Sequence, residues 1–145
     1  MKCLFCEFAS GKRREHVNGY PFDTLYKTQN TLSFLSVDLP EKEDIHLLVI
    51  CKKHYTRFND MPKQILHEMI DHINIITKIL RKNHEDFNIL VNDGKGAGQR
   101  IMHVHFHIIP RKNGDRIKIK VWSRKKITES EFKNLNAKFK SLMNN

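Results

Sequence analysis

At 145 residues with 39% hydrophobic side chains, the chain is long enough for one packed core and too short for a second domain of ordinary size. Three cysteines, two of them close together, argue against a disulfide framework. No apolar run approaches a membrane span and the N-terminus lacks the apolar stretch of a signal peptide, so a cytoplasmic protein without membrane association is expected. A net charge of +10 attracts polyanions, nucleotide polyphosphate and nucleic acid alike. The basic residues are scattered through Lys12-Arg13-Arg14, Lys52-Lys53, Arg81-Lys82, Arg111-Lys112 and the tail after Arg116, which reads as a solvated surface more than as a nucleic-acid groove.

In chain order, Met1-Lys2-Cys3-Leu4-Phe5-Cys6 places two thiols at the CxxC spacing that lets both reach one ion from a tight turn. A zinc half-site, a redox pair and two unremarkable thiols all fit that spacing, although no βαβ pattern follows to favour a redox centre. Thr24 to Val37 reads as two short strands around a polar turn near Gln29-Asn30. A charged loop, Asp38 to Asp44, leads to an apolar strand from His46 to Cys51. The main helix follows, with Asn59 or Asp60 as N-cap, Pro62 in the first turn, and Ile65, Met69, Ile73, Ile76 and Leu80 as a core stripe. His67, His72 and His84 are read as surface or boundary residues of that helix. Phe87 to Val91 makes another strand.

Asn92 to Arg100 is a glycine-rich polar loop, whose freedom to reach positive φ suits close backbone approach to an anion. It feeds His103-Val104-His105-Phe106-His107-Ile108-Ile109-Pro110, in which strand alternation sends Val, Phe and Ile to one face and three imidazoles to the other, a reactive surface rather than a core face. Neutral imidazole is a nucleophile at physiological pH. His105, with a partner on either side, is the candidate to attack phosphorus and form a covalent intermediate, with His107 hydrogen-bonding a phosphoryl or leaving oxygen. From the strand alone, a metal site is an equal alternative, since histidines two apart can bind one zinc ion. Lys118 to Trp122 alternates polar and apolar, and Thr128-Glu129-Ser130-Glu131 is a capping box opening a C-terminal helix with Phe132, Leu135, Phe139 and Leu142 on one side. The element pattern is α+β: an antiparallel sheet with the main helix on one face and a C-terminal helix beyond it.

The run Asn92 through Arg111, with Gly98-Gln99 followed by the alternating histidines, resembles the signature of the histidine triad (HIT) superfamily of nucleotide hydrolases and transferases. The earlier His46 to His54 segment is similar to that family's histidine, apolar run and Pro-Lys-x-His, with Cys51 where a proline is usual; it is read as a packed side chain. The resemblance implies that His105 becomes nucleotidylated, that Asn92, Gly98, Gln99 and His107 contact the phosphate, and that Arg100 and Ile101 lie alongside. Ser36 stands where the family commonly has an acidic residue for the ribose hydroxyls, and His46 is placed on the phosphate side.

A subset of the family joins an N-terminal CxxC to two histidines, which implies a structural zinc on Cys3, Cys6, His54 and His103, with His46 the main rival for one position. The implied organisation is one HIT domain over 1–145, with a zinc-binding segment at 1–20, a catalytic core at 21–122 and a C-terminal helix at 123–145. A homodimer is implied as well, in which the C-terminal segment helps to form the partner subunit's pocket; Trp122 is read as packing there in preference to contacting ligand. The expected activity is attack on the α-phosphate of a dinucleoside polyphosphate or an adenosine phosphoramidate, with a slight lean to the former from the continuation Pro110 to Asp115. The alternative is a binding module for nucleotides or nucleic-acid ends without turnover.

Overall fold

In a computed structural model, residues 2–40, 45–119 and 126–143 are described. A five-stranded antiparallel sheet runs β1 (Tyr26–Lys27), β2 (Thr31–Leu35), β3 (Leu47–Cys51), β5 (His105–Arg111), β4 (Asp86–Val91) in spatial order. β3 is a continuous apolar run because both its faces are covered. On one face, Leu47, Val49, Cys51, Phe106 and Ile108 pack with Met69, Ile73 and Ile76 of helix α2 (Lys63–Leu80), the core expected from the helical stripe. The other face carries Leu32, Phe34, Leu48 and Ile50, and here the short helix α1 (Leu4–Ala9) lays Phe5 and Phe8 across the sheet. Burying each of those rings contributes about 1.5–3 kcal/mol.

That second layer partly covers the imidazole face, which the sequence reads as a reactive surface. His105 pairs with Ile50 and His107 with Leu48, so both rings share the face that α1 covers. Phe5 stands edge-on to His105 at 5.2 Å and to His103 at 5.8 Å between centroids. The strand also begins later than the alternation predicts. The His103 N–H donates to the Ile101 carbonyl and the Val104 N–H to the Tyr55 carbonyl, so residues 101–104 bend before β5 starts at His105.

Three local expectations change. The N-cap of α2 is Pro62, with no side-chain capping bond, while Asn59 and Asp60 fall in a preceding 3₁₀ turn, Phe58–Asp60. His72 is fully buried, not at the boundary, and its Nδ1 bonds the Thr31 hydroxyl at 2.7 Å. No strand forms at Lys118-Ile119, and the rest of that stretch, Trp122 included, lies outside the described residues. The C-terminal helix α3 (Glu129–Met143) forms with the capping box intact: the Glu131 N–H donates to Thr128 Oγ1, and the Thr128 N–H to the Glu131 carboxylate. None of its residues is buried, and Phe132, Phe139 and Leu142 are more than half exposed.

Candidate active site and metal cluster

His105 lies on β5 with its Nδ1–H donating to the His103 carbonyl oxygen at 2.7 Å. A carbonyl can only accept, so Nδ1 carries the proton and Nε2 the lone pair. Burial, above all, holds the His105 pKa below its ordinary value, which keeps that lone pair free at neutral pH. His107 is next on the same face, with ring centroids 4.9 Å apart. Its orientation is set by a relay from β3: His46 Nδ1–H donates to the Asp38 carbonyl at 2.5 Å, and His107 Nδ1–H donates to His46 Nε2 at 2.8 Å. His107 Nε2 is left buried with no partner among the described residues. Burial, then the neighbouring His105 and His46, push the His107 pKa down to about 4.

Both rings line a cavity of about 550 Å³. Asn92, Gly98, Arg100 and Ile101 line it together with Ser36, Val37, Asp38 and His46. Phe5 and Phe8 form part of the apolar wall. The loop reaches the site through Gly98, which takes φ +91, where a side chain would be strained. Gln99 sits differently from the expectation of a phosphate contact. Its side chain accepts from the Gly94 N–H at 2.7 Å and donates to the Thr56 carbonyl at 3.2 Å, so it braces the loop and does not line the cavity.

His103 looks the other way. Its Nε2–H donates to the Cys51 carbonyl at 2.8 Å, which leaves the Nδ1 lone pair between the thiols of Cys3 and Cys6, each at 3.5 Å. Nδ1 of His54 lies 3.3 Å from the Cys6 sulfur. The ligand atoms of Cys3, Cys6, His54 and His103 all fall within 4.8 Å of one another. His46 is not among them; it belongs to the His107 relay. Zinc–sulfur and zinc–nitrogen bonds of about 2.3 and 2.05 Å at a tetrahedral angle put sulfur and nitrogen about 3.5 Å apart, so the donor set fits zinc in type and spacing. Burial and the adjacent Cys3 raise the Cys6 thiol to about 11, a penalty on the thiolate that a cation between the sulfurs would relieve.

The HIT domain profile matches residues 20–114. The chain belongs to the HIT family. It is 38% identical over 114 residues to an uncharacterised HIT-like protein of Methanocaldococcus jannaschii, covering 78% of this chain and 81% of that protein. It is 32% identical over 117 residues to an adenosine 5′-monophosphoramidase of Candida albicans, covering 77% and 71%. Among solved structures, a histidine triad nucleotide-binding protein from Candida albicans superposes with TM-score 0.81 at 27% identity, covering 98% of this chain and 97% of that one. A zinc-bound histidine triad protein from Mycobacterium smegmatis superposes at 0.70 with 29% identity, covering 99% and 97%. This HIT protein has no helix among its described residues that is long and apolar enough to cross a membrane.

Sequence reasoning missed His16, Val17, Phe5 and Phe8, which also line the cavity. The hairpin that carries His16 was signalled by Asn18-Gly19 and is a three-residue turn, Val17-Asn18-Gly19: the His16 N–H donates to the Tyr20 carbonyl and the Gly19 N–H to the His16 carbonyl, with Gly19 at φ +81. The placement of Phe5 and Phe8 had no local signal, because it depends on where the CxxC segment docks.

Proposed function

We propose that the protein is a HIT-family nucleotide hydrolase or transferase that cleaves a nucleotide conjugate at its α-phosphorus and releases a nucleoside monophosphate. The observation that carries this reading is the pairing of the free Nε2 lone pair of His105 with the partnerless buried Nε2 of His107 on one cavity wall. His105 Nε2 attacks the α-phosphorus, a P–N bond forms, and the bond from phosphorus to the leaving group breaks. His107, protonated once an anion offsets the cost of burying its charge, donates to the departing atom. Water then attacks phosphorus, its proton passing to the His107 left neutral by the first step, and the P–N bond breaks to release His105 with its lone pair. Asn92, Gly98 and Arg100 stand beside the phosphoryl oxygens, with Ile101 alongside, Ser36 towards the ribose, and His46 fixing the His107 tautomer.

The phosphoramidase relative and the consumption of Arg111 and Asp115 in a bidentate internal pair, at 2.7 and 2.9 Å, favour an adenosine phosphoramidate over a dinucleoside polyphosphate. Cys3, Cys6, His54 and His103 would hold zinc, whose closed four-ligand set supplies a structural cross-link and no open position for substrate. A homodimer belongs to the same reading, since α3 presents an apolar ridge that its own subunit leaves uncovered.

The test is AMP release from an adenosine phosphoramidate and from a dinucleoside polyphosphate by the parent and by His105→Ala. Turnover should fall about 10³-fold or more with an unchanged melting curve. Equal rates in parent and variant would remove His105 from the reaction.

A further inference from the structure

We infer that His16 selects the sugar of the bound nucleotide, its imidazole and the Ser36 hydroxyl together holding the ribose hydroxyls. This rests on the nucleotide reading above and extends it to a residue outside the matched domain, which begins at residue 20.

The ring of His16 is wedged against Phe8, Phe22 and Phe34, with centroids at 5.2, 5.7 and 6.0 Å. Only 8% of the residue is exposed, yet no hydrogen bond among the described residues reaches either ring nitrogen. Neither ring nitrogen is sealed off, so each stays open to a partner brought by whatever enters the cavity. His16 faces the cavity that His105 and His107 line, on the side where Ser36 and Val37 stand. The same three residues, His16, Ser36 and Val37, form the rim shared with an adjoining hollow of about 350 Å³.

The chemistry fits a vicinal diol better than phosphate. Burial, then the Arg13 charge, lowers the His16 pKa, so at neutral pH the ring offers one N–H donor and one lone pair. Hydroxyls both give and accept, whereas phosphate oxygens only accept. Position agrees: from His105, the rings of Phe5, Phe34 and His16 follow in steps of 5.2, 5.5 and 6.0 Å, so two rings separate His16 from the nucleophile, and it shares its lining position with Ser36. Ser36 Oγ already accepts from the Asp38 N–H at 3.1 Å, so it brings a single partly engaged hydroxyl to a pair of ribose hydroxyls. The imidazole provides the second contact.

The test is calorimetric binding of AMP, 2′-deoxyAMP and 3′-deoxyAMP to the full chain, to His16→Phe, which keeps an aromatic ring among the phenylalanines, and to His16→Gln, which restores a donor and an acceptor. The parent should prefer AMP to at least one deoxy analogue by about tenfold. His16→Phe should lose about tenfold on AMP, bind that analogue as the parent does, and so erase the preference, with His16→Gln recovering part of it. An equal loss on all three ligands, or none, would overturn the assignment by reducing His16 to packing. Should His16→Phe fail to fold, His16→Leu takes its place: an unchanged AMP-to-deoxyAMP ratio in that variant overturns the assignment and a lost preference supports it. A parent that prefers ribose but turns over no conjugate defeats the hydrolase reading alone, and one that turns over conjugates without sugar preference defeats only the role of His16.

Discussion

His103 serves two groups with different atoms. Its ring reaches the thiols of Cys3 and Cys6, while its carbonyl oxygen fixes the tautomer of His105. A third histidine, His72, makes the contrasting case of an imidazole used for packing. It is fully buried beside Tyr26, bonds the Thr31 hydroxyl, and leaves its Nε2 without a partner among the described residues. Burial pushes its pKa down to about 4, below the ordinary 6.5. Between those values the unfolded chain binds a proton that the folded chain refuses. The stabilisation from keeping His72 neutral is therefore complete above pH 6.5 and is lost as pH falls towards 4, in total about 3 kcal/mol. Urea midpoints across that range should show a shallower acid decline for His72→Gln than for the parent. Parallel declines would mean that His72 carries no such linkage.

At the scale of elements, the loop between β4 and β5 is held from within. Gln99 bridges Gly94 to Thr56, and Gly98 at φ +91 delivers the backbone to the cavity. A methyl at Gly98 would meet only Asn92 at 3.9 Å, so Gly98→Ala tests backbone strain with little steric clash. We expect a loss of about 1–3 kcal/mol in stability and weaker AMP binding; a variant as stable and as tight as the parent would show that the positive φ is dispensable. Much of this was legible beforehand, since His105, His107 and the glycine loop are adjacent in sequence and strand period alone fixes their common face. The role of Gln99 was not, because its partner Thr56 lies 43 residues away. The cap of α2 was misplaced because Asn59 and Asp60 are good N-cap residues by type, and only the 3₁₀ turn before Pro62 decides against them.

Across the whole molecule, the N-terminal segment meets the segment that leads into β5: Cys3 and His103 are 100 residues apart and meet at 3.5 Å. α1 has six residues, too few to hold a helix by itself, so its docking depends on Phe5, Phe8 and the thiol–imidazole cluster. Metal analysis should find about one zinc per chain, lost from the Cys3→Ser/Cys6→Ser double variant, with a lower melting temperature and exposure of the two phenylalanines costing about 3–6 kcal/mol at most. A metal-free double variant that melts with the parent would show that the cluster does not anchor the segment. β5 itself is hydrogen-bonded along both edges, to β3 and to β4. The imidazole-bearing backbone therefore has no slack to take up when a ligand arrives. Its configurational entropy was surrendered when the chain folded, so a visiting nucleotide forfeits its own tumbling and torsional freedom and asks for little of the protein's.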